Sequence, residues 1–202
     1  MPDFAIESAL WEKGYQYVAG IDEVGRGSWA GPLVVAAVIL SKDFKIPPGL
    51  DDSKKVKPHT RNKFAKYIKE NAKANSVTEI SVSVINKLGI CRATHMAFRK
   101  AIKSLSIRPD FLLVDAFYIK QVNRKNQKAI IHGDQRSASI AAASILAKVY
   151  RDNLMKRLSR NYPGYSFGKH KGYGTREHQQ AIRAYGFTKI HRTSYKLEFL
   201  VS

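Results

Sequence analysis

The 202-residue sequence predicts a mixed α/β domain with a helical, basic C-terminal part. Three observations predict it. Two apolar stretches flank a glycine-rich turn in "AGIDEVGRGSWAGPLVVAAVIL" (19–40), a short all-apolar run ends in an acid in "FLLVD" (111–115), and segments with helical spacing alternate with these. A chain of this length buries roughly 70% of the surface its unfolded form exposes, so one core needs no disulfide or structural metal.

In chain order, "YQYVAGIDEV" (15–24) and "LVVAAVIL" (33–40) read as strands joined by the Gly-rich turn, with "NSVTEISVSVI" (75–85) as a third. Alternation and β-branched residues dominate all three, which together could form a meander. "KIPPGLDDSKK" (45–55) reads as an extended loop. "TRNKFAKYIKENA" (60–72) spaces Phe64, Tyr67 and Ile68 on one helical face, and "RATHMAFRKAIKSL" (92–105) does so with Ala93, Met96, Ala97 and Ile102. "FLLVD" suits a central strand covered on both faces, with Asp115 at its carboxyl end. In the helix predicted over 137–160, Ala141, Ala142, Ala143, Ser144 and Ala147 would let it lie close against a sheet. A last helix spans 175–186, with Thr175 as N-cap and Gly186 just past its end.

The formal charge is +19, from 35 Lys and Arg against 16 Asp and Glu, and 44% hydrophobic with 10% aromatic residues excludes a disordered basic tail. Such an imbalance fits a polyanionic partner, most often nucleic acid. Cys91 is the single cysteine, which rules out an internal disulfide, and on its helical face it reads as core. The first residues carry Asp3, Glu7 and Glu12 where a signal peptide would be basic, and no run of 18 apolar residues occurs. The expectation is a soluble cytoplasmic protein with no membrane contact. "GIDEVGRG" has Gly-x4-Gly spacing but places Arg26 and Gly27 where a P-loop needs Lys and Ser or Thr. "GRGSWAG" puts its third glycine one residue late for a dinucleotide fingerprint, so neither nucleotide motif is met.

Asp22, Glu23, Asp115 and Asp134 all fall at element ends. Gathered together, they would repel one another and raise each other's pKa unless a divalent cation neutralised them. Mg²⁺ favours a few carboxylates plus waters and phosphate oxygens, which suits acids inside a very basic protein. Alternatively Asp22 and Glu23 are a solvated strand end and Asp134 caps the next helix. Successive strand residues point to opposite faces, so a shared site requires the strand to break at Asp22–Glu23, with Gly25 and Gly27 supplying the freedom.

"GIDEVGRGSWAGPLVVAAVIL", "LDDSKK", "FLLVDAF", "GDQRSASIAAASILAKVYRD", "YPGYSFGKHKGYGT" and "HRTSY" follow in this order from residue 20 to residue 195. Together they resemble ribonuclease HII, the type 2 ribonuclease H family, over nearly the whole chain. The short segment before residue 17 argues against ribonuclease HIII, which carries an additional N-terminal domain. The resemblance implies one ribonuclease H-like domain over 1–202, a central mixed sheet flanked by helices, with a substrate-binding part over about 160–202. It implies an endonuclease that cuts the RNA strand of RNA/DNA hybrids and incises DNA 5′ of an embedded ribonucleotide, the entry step of ribonucleotide excision repair, leaving 3′-hydroxyl and 5′-phosphate.

The family's metal-binding catalytic acids map onto Asp22, Glu23, Asp115 and Asp134, holding Mg²⁺ or Mn²⁺, two ions during catalysis. Asp152 competes for the fourth place and otherwise reads as a helix-surface partner of Arg151. The family's ribonucleotide-contacting turn matches Gly25, Arg26 and Gly27, although Arg26 could instead pair with a neighbouring acid, and its sugar-packing tyrosine matches Tyr173. Ser53, Lys54, Lys55, His191, Arg192 and Ser194 are expected on the phosphate-binding surface, where residues 148–196 hold twelve Lys or Arg against two acids. His170 and His191 have structural roles as the alternative. Asn86, Gly89, Thr193 and Tyr195 depart from the family pattern, none of them among the four acids. A monomer is expected.

Overall fold

The computed structural model describes residues 1–201, and among them five strands form one mixed sheet. They are β1 (Val18–Val24), β2 (Leu33–Ile39), β3 (Ala74–Ile80), β4 (Phe111–Asp115) and β5 (Gln127–Ile130), in the order β3-β2-β1-β4-β5. β1, β2 and β3 are antiparallel neighbours, the expected meander, while β4 runs parallel to β1 and β5 parallel to β4. The helices are α1 (Ala5–Glu12), α2 (Pro58–Asn71), α3 (Val82–Lys103), α4 (Ala138–Asn161), α5 (Phe167–His170) and α6 (Arg176–Tyr185). Among the described residues, no helix is long and apolar enough to cross a membrane.

β2 is apolar at every position and buried throughout, because α3 covers one face of the sheet and α4 the other. Val34, Ala36 and Val38 pack with Ala141, Ala142 and Ile145 of α4, and Val35, Ala37 and Ile39 with Ala93, Ala97 and Phe98 of α3. The small residues of α4 do bring it close. At Gly20, in β1, an added Cβ would sit 2.1 Å from the Ser139 carbonyl carbon, so strand and helix backbones touch directly.

The third strand ends at Ile80, short of the predicted residue 85. The Ser81 hydroxyl accepts from the Val84 N–H and starts α3, which turns the alternating "VSVI" into a first helical turn. α3 therefore begins ten residues before the expected helix and is kinked at Gly89, whose φ is +73°. The edge strand β3 turns Ser76 and Thr78 inward, where their hydroxyls donate to the α3 carbonyls of Ala101 and Ala97.

Among the helices and strands, α1, β5 and the short α5 escaped the sequence reading. β5 is a four-residue edge, and α1 clamps the start of α4: buried Glu7 Oε1 accepts from the Ser137 hydroxyl (2.6 Å) and the Ser139 N–H (2.9 Å). The C-terminal part is helical as expected. It builds its own cluster of Tyr165, Phe167, Ile182, Leu197 and Leu200 on Met155, in the outer half of α4. Thr175 caps α6 and Gly186 follows it.

Candidate active site

Because β1 and β4 are parallel, with Ile21 opposite Val114, Asp22 and Asp115 emerge at the same end of the sheet. The expected break between Asp22 and Glu23 is absent. Both residues stay in the β1–β2 ladder, opposite Ala36 and Val35, and the chain turns only after Val24, where Gly25 has φ +92°. Alternation therefore holds, with Asp22 on the α4 side. The Asp22 Oδ1 accepts the Glu23 N–H at 2.7 Å, and the Glu23 and Asp115 charges both act on the Asp22 carboxyl.

The Ser144 hydroxyl lies within hydrogen-bond reach of Asp22 and 3.0 Å from Ser53 Oγ. Asp115 Oδ1 accepts the Gly133 N–H at 2.7 Å, which docks the loop carrying Asp134. Asp134 sits in a 3₁₀ turn and does not cap α4; Ser137 does. Asp52, from the "DDSKK" loop, is buried against Asp134, a neighbour the sequence reading did not pick out.

Burial, and then the charges of Glu23 and Asp115, push the Asp22 carboxyl well above the usual carboxylate range. Burial and the Asp115 charge push Glu23 to about 7, against the opposing pull of Arg26. Burial, followed by Asp52 and Asp115, takes Asp134 to about 6. Glu23 Oε2 is buried with no hydrogen-bond partner among the described residues. Repelling carboxylates and an orphaned buried oxygen suit a divalent cation. Among the described residues no group of three or more acidic, histidine or cysteine side chains is arranged to hold a metal ion. Mg²⁺ asks for only one or two carboxylates, with waters and substrate phosphate oxygens filling the rest of its shell, so an open set of acids fits it.

These shifts have a stability consequence. An acid whose folded pKa is raised favours folding as pH falls, so without metal the protein gains stability on acidification from above about 7 toward the unfolded value of 4.5. Glu23→Gln removes that strain at neutral pH. The expected result in chelator is a melting temperature for Glu23→Gln above wild type at pH 8, with the difference shrinking toward pH 5; equal values at both pH would contradict the clustered charge.

Beside the acids lies a cleft of about 490 Å³ lined by Glu23, Gly25, Arg26, Gly27, Ser53, Lys54, Lys148 and Tyr173. It brings together the turn, the "DDSKK" loop and the tyrosine that sequence reasoning had placed separately. Lys148 is an addition, and the i,i+4 spacing to Asp152, which it meets at 2.8 Å, was its available signal. Arg26 forms no ion pair shorter than 4 Å among the described residues; its guanidinium stands 4.9 Å from the centre of the Phe117 ring.

The family model described as Ribonuclease HII matches residues 19–198. The ribonuclease HII of Halalkalibacterium halodurans is 50% identical over 192 residues, 95% of this chain and 72% of the relative. The chain belongs to the ribonuclease HII family. It is accordingly a ribonuclease H, a metal-dependent endonuclease of RNA/DNA hybrids. Its mixed sheet between helices is the ribonuclease H-like fold, shared with ribonuclease HII in the PCNA:RNase HII complex from Archaeoglobus fulgidus (25% identity, TM-score 0.76, 92% of this chain and 97% of that one). The fold is also that of Bst-RNase HIII, solved in complex with Mn²⁺ (23% identity, TM-score 0.61, 85% of this chain and 63% of that one).

Several expected surface contacts of this ribonuclease HII lie inside it instead. Arg192 is fully buried, and its Nε and Nη2 donate to the Gly31 carbonyl at 3.0 and 2.8 Å. His191 is 1% exposed. Neither is placed to meet a phosphate on the surface, because backbone carbonyls and other rings already use their polar atoms. The Thr188 N–H donates to His191 Nδ1 (2.7 Å), so the ring proton sits on Nε2, which donates to His178 Nε2 (3.0 Å). His178 Nδ1–H then donates to the Tyr173 carbonyl (2.9 Å). Burial holds His178 and His191 at about 4, consistent with this neutral chain, and His170 stacks on His178 beneath the same loop.

Arg151 donates to the carbonyls of Pro32, Lys171 and Ala30, tying the turn to the Tyr173 loop. Asp152 pairs not with Arg151 as expected but with Lys148 and, at 3.6 Å, Arg61. Arg61 in turn donates to the Ser53 carbonyl. Lys55 is exposed and pairs with Asp51, and exposed Ser194 meets Asn86. Cys91, expected in the core, is exposed in the helical segment after the Gly89 kink.

Proposed function

We propose that this chain cuts the RNA strand of RNA/DNA hybrids and incises duplex DNA 5′ of an embedded ribonucleotide, leaving 3′-hydroxyl and 5′-phosphate. The observation that carries this reading is the convergence, beside one basic cleft, of four acids from three distant segments with a turn of open backbone. Asp22, Glu23, Asp115 and Asp134 would hold Mg²⁺ or Mn²⁺, two ions during catalysis, and the ions would supply water activation and charge stabilisation at the leaving oxygen.

The chain's own groups do the rest. The Gly25–Gly27 turn approaches the ribose, where Gly27 leaves open space, and its backbone brackets the 2′-hydroxyl that separates RNA from DNA. Tyr173, half-buried at the cleft wall, packs on the neighbouring sugar. Ser53, Lys54 and Lys148 meet phosphates, which set register without reading sequence. Lys55 and Ser194 extend this surface. The net charge of +19 supports a polyanionic substrate, and we place the protein in the cytoplasm as a monomer.

A duplex with one embedded ribonucleotide, incubated with Mg²⁺ or Mn²⁺ beside an RNA/DNA hybrid and an all-DNA control, tests the reading. One cut 5′ of the ribonucleotide and none in the control is expected. Cutting of the all-DNA duplex, or binding of the ribonucleotide duplex without incision, would overturn it.

A further inference from the structure

The Arg26 carbonyl, in the middle of the substrate turn, is held from the C-terminal segment by two donors. Arg192 Nη1 donates to it at 3.0 Å, and the Tyr195 hydroxyl donates to it as well. Arg192 Nη1 also lies 2.9 Å from the Tyr195 hydroxyl, so the three groups form a closed triangle. The segment is fastened from behind. Asn86 of α3 donates to the His191 carbonyl (3.3 Å) and accepts from the Ser194 N–H and hydroxyl (3.4 Å each), and the Arg192 N–H donates to the Trp29 carbonyl at 2.7 Å.

The peptide joining Arg26 to Gly27 is planar and trans, so its N–H points opposite to its carbonyl. With the carbonyl drawn inward by Arg192 and Tyr195, the Gly27 N–H is directed outward. Gly27 lines the cleft, and a Cβ there would meet nothing within 4 Å. Among the described residues the Gly27 N–H has no hydrogen-bond partner, and its residue borders the cleft at the place assigned to the ribose.

We propose that Arg192 and the Tyr195 hydroxyl are positioning groups for ribonucleotide recognition, setting the Arg26–Gly27 peptide so that its N–H meets the 2′-hydroxyl. This rests on the reading of the Gly25–Gly27 turn given above. Arg192 is fully buried and its removal endangers folding, whereas Tyr195→Phe removes one oxygen and keeps the ring that lies 5.4 Å from the Arg192 guanidinium carbon.

The test compares wild type, Tyr195→Phe and Gly27→Ala on the single-ribonucleotide duplex, with affinity for an all-DNA duplex of the same sequence and the melting temperature measured alongside. Loss of one carbonyl hydrogen bond predicts a three- to tenfold lower kcat/KM for Tyr195→Phe, on the order expected for a net hydrogen bond. Affinity for the all-DNA duplex, which offers no 2′-hydroxyl, should stay at the wild-type value, and the melting temperature should fall by no more than the few degrees that one lost hydrogen bond explains. Gly27→Ala, open in the free protein, should impair incision more strongly by crowding the ribose. Wild-type rates in Tyr195→Phe with Gly27→Ala impaired would overturn the positioning role and leave the turn reading intact. Wild-type rates in both would remove the turn reading and the proposal with it. An equal Tyr195→Phe loss in all-DNA affinity, or a fall in melting temperature larger than one hydrogen bond explains, would also overturn it, as a structural effect.

Discussion

Asp22→Asn is expected to lose turnover on an RNA/DNA hybrid by at least about a thousandfold, since metal-derived charge stabilisation amounts to several kcal/mol and each 1.36 kcal/mol is a factor of ten. The amide keeps the shape of the carboxylate, and its oxygen still accepts the Glu23 N–H. What disappears is one anionic ligand in the middle of the acid group. Binding is a separate matter. Affinity comes from Lys and Arg contacts to phosphate, so the hybrid should bind within about threefold of wild type, or slightly tighter because a like charge has left the cleft. Single-turnover cleavage with Mg²⁺ and a binding assay in chelator measure the two effects apart, and full activity in Asp22→Asn would refute the carboxylate's role.

Gly20→Ala is expected to cost stability on the order of 3 kcal/mol, although it adds a single methyl. The added Cβ would stand 2.1 Å from Ser139 C, 2.3 Å from Ile140 N and 2.4 Å from Ser139 O. All three are backbone atoms at the start of α4, so no rotamer change relieves the clash. Helix and strand must separate, and Asp22, two residues on, separates from Ser144 with them. Set against a total of 5–15 kcal/mol for a typical domain, this is a large fraction. A urea midpoint equal to wild type would show that β1 and α4 are not in backbone contact.

Much of this was legible in the residues. Strand ends carry the acids, glycine marks the turn, and the Thr175 cap and the all-apolar β2 lie where propensity and burial put them. The failures have physical causes. β5 is an edge of four residues with too few positions for a pattern, and "VSVI" after Ile80 is compatible with strand or helix until the Ser81 cap decides. The charges of Asp22, Glu23 and Asp115 act on one another without any break in β1, because β1 and β4 run parallel and bring these residues to the same end of the sheet.

His191 and Arg192 were assigned outward from their charge and polarity, yet a guanidinium saturated by carbonyls and an imidazole chain held neutral can both be buried. No sequence pattern shows which carbonyls lie within reach. Asp52 was missed because its neighbour Asp134 comes from another segment, and Lys148, although its ion-pair partner Asp152 lies on the same helix, because the cleft it lines forms only after the sheet and α4 have met.

The parallel pairing of β1 with β4 sets a timetable for the molecule's life. Roughly ninety residues separate Ile21 from its neighbour Val114, and Asp134 arrives later still. A growing polypeptide leaving the ribosome thus carries its first two acids long before their companions exist, and closing so wide a loop is a slow step in assembly. Cutting ability should therefore switch on only once residue 134 has been made and the parallel strands have paired.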